Sequence, residues 1–269
     1  MKRATHYFPH RGHARQRSTW FLHISRLLLP VALVLLLGIF LGGVFLSPDT
    51  LGNQLYLLGS ALALSLVRLF GAFVCALVIG ISLGVFAEKS RFLESLLLPI
   101  FDVFESLPVL AFFPVLILFF LHSGWIEGAS LFIIFFSMVW NIAFSTVGGL
   151  KVIPHDIIAV GKVFGLSPTQ RFRKVTLPAL FPPLVTGSIL SLADGWNVLI
   201  VAEALHAYAP INSGVVDLLG IGSLLITASS SGQSSLIISA IALLVVVIAF
   251  INLVIWQPLL AKAERFKFE

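Results

Sequence analysis

Long apolar runs, separated by short polar segments, set the pattern of this chain. A helix needs roughly 20 apolar residues to cross a bilayer core. Leu27–Leu46, Leu69–Ala87 and Ala129–Leu150 are runs of that kind, and Leu236–Ala261 is the longest. Two further runs carry polar interruptions. Leu96–Leu121 holds Asp102 and Glu105, and Val175–Leu205 holds Asp194 and Glu203. The pattern predicts an all-α polytopic membrane protein with six transmembrane helices, residues 20–269 forming one transmembrane domain after a basic tail at 1–19. The first run is too long for the apolar core of a cleaved signal peptide and reads as a retained span.

The basic residues give these spans a direction. Lys2, Arg3, Arg11, Arg15, Arg17 and Arg26 precede the first span, and Lys89 and Arg91 follow the second. Lys151, Lys162, Arg171, Arg173 and Lys174 follow the fourth, and Lys262, Arg265 and Lys267 follow the sixth. All fall on one side if both termini are cytoplasmic, as the excess of Lys and Arg in cytoplasmic loops requires. The opposite loops, Ser47–Gly59, His122–Gly128 and His206–Ser235, contain no Lys or Arg. Within the last, the apolar piece Val215–Ala228 predicts a short re-entrant or surface helix.

Composition agrees and excludes other classes. Of 269 residues, 58% are hydrophobic and only 11% charged, where a soluble domain carries about a quarter. The mean hydropathy is +1.05. A net charge of +5 does not point to nucleic acid, because the cations lie between spans rather than on one face. Cys75 is the single cysteine, so no disulfide or zinc framework forms within the chain. His6, His10 and His13 read as part of a solvated basic tail facing anionic lipid heads rather than as a metal site. No Gly-x-x-x-x-Gly-Lys-Ser/Thr loop is present, so the chain has no P-loop for ATP.

The most structured polar segment runs from Lys151 to Lys174. Ile157–Phe164 can form a short helix that Gly165 ends, since glycine accepts left-handed backbone angles. Ser167 can cap a second helix, with Pro168 in its first position and Gln170 completing a capping box. Arg171, Phe172, Arg173 and Lys174 follow, and Pro178 with Pro182-Pro183 starts the next span. Two short helices meeting at a bend make a rigid surface for a partner.

That segment carries a specific resemblance. Ala159-Val160-Gly161, three residues, Gly165, nine residues and then Val175-Thr176-Leu177-Pro178 resembles the EAA loop of ABC-importer permeases. There the motif reads Glu-Ala-Ala, three residues, Gly, nine residues, Ile-x-Leu-Pro. The opening differs here, which removes the Glu and any ion pair it makes. Ser65-Leu-Val-Arg68, Gly80-x-x-x-Gly84, Ser106-Leu-Pro108, Pro114, Thr186-Gly187, Ala193-Asp-Gly-Trp196 and Val201-Ala-Glu203 are similar to the nitrate/sulfonate/taurine/bicarbonate-type group, from about Ser60 to the end. The resemblance implies a type I ABC-importer permease fold with a cytoplasmic coupling helix, in which Ala159, Gly161, Gly165, Leu166, Ser167, Gln170, Arg171, Phe172 and Pro178 meet an ATPase. It implies a bacterial inner-membrane transport subunit that is not itself an enzyme. Its partners would be two ATPase subunits carrying ATP and Mg, a second permease chain (the same or different) and an external solute-binding protein. The solute would be a small anion such as nitrate, sulfonate, taurine or bicarbonate.

Ionisable groups at membrane depth are costly and face protein or a water path. Asp194 and Glu203 are nine residues apart, hence on nearly opposite helical faces. Asn197 shares the face of Asp194, and the two are path candidates, with Asn141 a further one. Glu203 suits a gate or a helix interface. Arg68 can attract an anion or snorkel to the outer surface. Asp102 and Glu105 share a face and are expected to pair with Lys89, Arg91 or the basic loop. Gly38-x-x-x-Gly42 and Gly80-x-x-x-Gly84 read as packing positions. A six-span secondary transporter or channel without an ATPase stays open as the alternative, its intramembrane charges then coupling ions.

Overall fold

The computed structural model describes Gly38 and residues 51–154, 165–207, 209 and 217–266. These are helical apart from short connections, with no strand among them. We number the main helices α1 (Leu51–Ala87), α2 (Arg91–Ser106), α3 (Val109–His122), α4 (Glu127–Val152), α5 (Leu177–Glu203), α6 (Ile221–Ser230), α7 (Ser234–Ile251) and α8 (Gln257–Ala263). Four stretches are long and apolar enough to cross a membrane, Asn53–Ala87, Glu127–Val152, Thr169–Glu203 and Ser234–Phe266, and α2 with α3 makes a fifth if counted as one span. The expected first span, Leu27–Leu46, lies outside the described residues except for Gly38, which is helical.

Three elements differ from expectation. The segment 51–59, expected as loop, is the start of α1. Arg68 therefore sits well inside a helix, four turns or more from its N-terminal end. The third span is broken, its halves meeting at 87°. Leu107 is extended at φ −69° and ψ 132° and Pro108 forms the N-cap of α3, because a residue before proline is pushed out of the helical region. Third, the capped helix at Pro168 does not end before the next span. Pro168–Arg171, a wide π-turn at Phe172–Thr176 and α5 form one rod. The Leu177 N–H bonds to Phe172 O, five residues back, which loosens the backbone where the ring of Pro178 must enter. The same device recurs at Asn252–Trp256, where the Gln257 N–H bonds to Asn252 O just before Pro258.

α4 is the centre of the bundle. Ile133, Ile134, Met138, Ile142 and Ala143 on it are fully buried. α1 runs parallel to α4: a Cβ on Gly80 would meet Ile142 Cβ at 2.9 Å, and one on Gly84 would meet Thr146 Cβ at 2.6 Å. The Gly80-x-x-x-Gly84 pair is thus the seam where these backbones approach closely. α5 runs antiparallel to α4. Gly187 abuts Ser145, and one turn further the buried Ser191 Oγ donates to Met138 O at 2.9 Å. α2 also climbs against α4: Glu94 pairs with Lys151, and Phe101 and Phe104 pack on Trp140, with ring centroids 5.7 and 5.2 Å apart. α7 runs parallel to α1, Phe73 meeting Trp256 edge-on at 6.4 Å.

This alternation gathers Lys89, Arg91, Lys151, Arg171, Arg173, Lys174, Lys262 and Arg265 at one end of the bundle, here called the elbow end. Glu127, Glu203 and α6 lie at the other.

Candidate functional site

Three features lie along the rod that contains α5. At the elbow end the sequence builds a stiff corner. Gly165 has φ +64°, the left-handed region that glycine enters without penalty. Gln170 N donates to Ser167 Oγ at 3.3 Å and Ser167 N donates to Gln170 Oε1 at 3.0 Å. This is the expected capping box, closed on both sides. Leu166 and Arg171 and Phe172 are half-buried, while Arg173 and Lys174 are exposed. Ala159 and Gly161, with the rest of 155–164, lie outside the described residues.

The elbow end also holds a partly buried acidic pair. Ser90 caps α2, accepting from Leu93 N at 3.2 Å. Glu88, just beyond α1, has its pKa raised, first by burial and then by the charge of Glu94, with Lys151 opposing in part.

Two and a half turns short of the end of α5, Asp194 Oδ2 accepts from Asn141 Nδ2 at 2.5 Å. Asp194 and Asn197 are exposed, as their shared face requires, and so are Asp102 and Glu105 on α2. Glu105 lies within electrostatic reach of Asp102 and Asp194. Among the described residues, the expected pairing of Asp102 or Glu105 with Lys89, Arg91 or the basic loop does not occur. Lys151 takes Glu94 instead, and Lys89 sits over the ring of Phe86 at 5.3 Å. The reason is position: α2 climbs away from the elbow end, so its C-terminal carboxylates leave the basic level behind. The result is a polar, negatively charged face at membrane depth, contributed by α2, α4 and α5.

At the far end of the rod lies a buried charge node. Glu203 is 0% and Arg68 5% exposed. Arg68 Nη1 donates to Glu203 Oε1 at 2.9 Å and to Leu219 O at 2.8 Å, and Arg68 Nε reaches Glu127 Oε1 at 2.6 Å. Ser65 Oγ donates to Glu203 Oε1 at 2.6 Å, and Gly222 N donates to Glu203 Oε2 at 2.8 Å. Ser65 Oγ also accepts from Ile221 N at 2.9 Å. A carboxylate at the last residue of α5 is badly placed for its own helix dipole. It is well placed for the N-terminus of α6, whose first amides have no partner within that helix. Glu203 therefore ties the end of α5 to the start of α6, and Arg68 balances its charge.

Arg68 does not snorkel, because both carboxylates turn it into the bundle. Glu127 and Ser65 belong to this node and were not among the expected site residues. A signal for each exists: Ser65 stands one turn from Arg68, and Glu127 is the acidic residue in the first turn of its span. Asp194 and Glu203 sit in separate places, as nine residues of helix dictate. Among the described residues no group of three or more His, Cys, Asp or Glu could hold a metal ion.

Comparison with known proteins adds to this geometry. The family model described as "Binding-protein-dependent transport system inner membrane component" matches residues 76–262. Nitrate import permease protein NrtB of Leptolyngbya laminosa is 34% identical over 180 residues, covering 67% of this chain and 60% of that protein. Bicarbonate transport system permease protein CmpB of Synechococcus elongatus is 32% identical over 177 residues, covering 66% and 59%. Taurine transport system permease protein TauC of Escherichia coli is 30% identical over 146 residues, covering 54% and 52%. The chain spans about half to three fifths of the length of these relatives. A chain of the methionine ABC transporter MetNI, solved in inward-facing conformations, shares the fold with a TM-score of 0.65 at 19% identity, covering 80% of this chain and 99% of that one.

Proposed function

Since the chain belongs to the family of binding-protein-dependent transport system inner-membrane components, we propose that it is the permease subunit of an ATP-driven importer, with the elbow end in the cytoplasm. The observation that carries this reading is the single rod. One helix leaves the capped corner at Gly165–Gln170, passes the polar face at Asp194 and ends in the buried node at Glu203. A push on the corner by a separate ATPase, powered by ATP and Mg, moves all three together. Packed helices shift as bodies rather than deform.

The polar face explains the need for a second permease chain. Asp194, Asn197, Asp102 and Glu105 are exposed on this chain, and bare lipid is a poor environment for them. A partner permease closing over that face makes a water-lined path. At the node end, α6 lies on the outer side, where a solute-binding protein delivers cargo. The relatives point to a small polar solute such as nitrate, bicarbonate or taurine. Carboxylates on the path face favour, within that group, a solute that carries its own positive charge, as the ammonium of taurine does.

The reading is tested by combining Gly165→Pro with Arg171→Glu and purifying the permease with its cognate ATPase. Proline forbids the left-handed angle at the corner, and the second change reverses a charge in the capped turn. Loss of ATPase co-purification with the permease still inserted is the expected outcome. Undiminished co-purification and uptake would sink the docking assignment, and would favour a secondary transporter of the same fold.

A further inference from the structure

A cavity of about 280 Å³ lies between α1, α5 and the last span. Its walls include Phe70, Phe73, Phe181, Leu184, Trp256 and Leu259. Apart from the buried Ser188 the lining is apolar, so it offers little to orient a polar solute. Trp256 is fixed: it is 8% exposed, ends the π-turn ahead of Pro258 and meets Phe73 edge-on. The half-buried Phe181, Leu184 and Leu259 leave one side accessible.

The mouth is different in character. Lys262 stands one turn beyond Leu259, with its Nζ 6.0 Å from the centroid of the Phe181 ring. Arg265 follows on the next turn, and Lys174 lies two turns before Phe181 on the rod. All three are exposed, and none makes an ion pair among the described residues. Glu264 beside Arg265 leaves the group net positive. The ring of Phe266 meets that of Phe181 edge-on, with centroids 5.7 Å apart. An apolar slot with a cationic lip at the membrane surface matches an amphiphile with a negative head.

We propose that this crevice holds one acyl chain of an anionic phospholipid whose phosphate rests on Lys262 and Arg265, so that the lipid pins α8 against the start of α5. Charge complementarity selects this occupant. The predicted first span, Leu27–Leu46, has no acidic residue to meet Lys262, and Arg26 precedes it. A second copy of this chain would bring its own cations to the same level. The leaflet follows from the orientation proposed above, but lipid retention is measured without transport, so the two ideas fail separately.

The test uses the intact transporter in nanodiscs of equimolar phosphatidylcholine and phosphatidylglycerol, with retained lipid read by native mass spectrometry. The wild type is expected to keep phosphatidylglycerol in preference to phosphatidylcholine. Lys262→Glu with Arg265→Glu, both exposed positions, should lower that retention by more than about fivefold per charge. Leu184→Trp, which fills the slot, should exclude it with the lip intact. Equal retention of both lipids by the wild type overturns the proposal, as does wild-type retention by the charge-reversed protein. Oxidative cross-linking of Leu259→Cys to a second introduced cysteine in the predicted first span (Leu33→Cys), or of two Leu259→Cys copies to each other, overturns it too, since protein would then fill the space.

Discussion

Replacing Glu203 with alanine should release the N-terminus of α6 from the rod. The substitution removes the acceptor of three short hydrogen bonds, from Ser65, Arg68 and Gly222, at 2.6, 2.9 and 2.8 Å. It also leaves Arg68, 5% exposed, with only the half-exposed Glu127 as counter-charge. Removing one partner of a buried pair costs about 3–5 kcal/mol, or roughly two to four powers of ten in an opening equilibrium. Hydrogen exchange of the peptide spanning 218–224, followed by mass spectrometry in the intact transporter, reads that opening. The amides of Ile221 and Gly222 should exchange faster by about that factor. The double variant Arg68→Met with Glu203→Leu separates the latch from bulk stability. An apolar replacement of a buried pair is often neutral or stabilising overall, yet Gly222 N still lacks its acceptor. Near-native melting with fast α6 exchange is the expected pattern. Unchanged exchange at 221 and 222 in the alanine variant would refute the reasoning, because Glu203 would then not be what holds α6.

Asp194→Asn keeps the shape of the contact with Asn141 but turns a charge-assisted bond into a neutral one; uptake should fall by about tenfold while assembly is preserved, and unchanged uptake removes Asp194 from the path. Gly84→Ala should destabilise the purified protein by about 1–3 kcal/mol, since its Cβ would meet Thr146 Cβ at 2.6 Å and Ala143 O at 2.9 Å; Gly71→Ala, with nothing within 4 Å, is the control and should cost nothing in the same denaturation curve. Glu88 holds its proton more tightly in the folded protein than in the unfolded chain, because burial and Glu94 raise its pKa. Its contribution is therefore full below the ordinary carboxylate pKa and lost as pH rises through the raised value. Glu88→Gln should flatten the loss of melting temperature as pH rises above the ordinary carboxylate pKa, and an unaltered slope counts against that origin.

The features legible in the residues alone were the local and periodic ones. Apolar run length located the described spans, because a bilayer sets one helix length for every span. The Ser167–Gln170 capping box and the left-handed Gly165 were equally legible, since their partners lie within a few residues. Proline was legible only in part. Pro108 breaks a span, whereas Pro178 and Pro258 are absorbed by π-turns within continuous helices. The pathway residues came out as separate candidates, and the fold decided which of them meet. Asn141 reaches Asp194 across 53 residues of sequence, Arg68 reaches Glu127 across 59 and Glu203 across 135. Side-chain contacts at such separations follow from how helices cross, which periodicity within one helix does not encode. The sequence therefore determined that this chain lies in a membrane and which end carries its positive charge. Only the tertiary structure turned a buried arginine from a possible anion attractor into the counter-ion of a latch, because a low-dielectric interior tolerates such a charge only when folding brings it a partner.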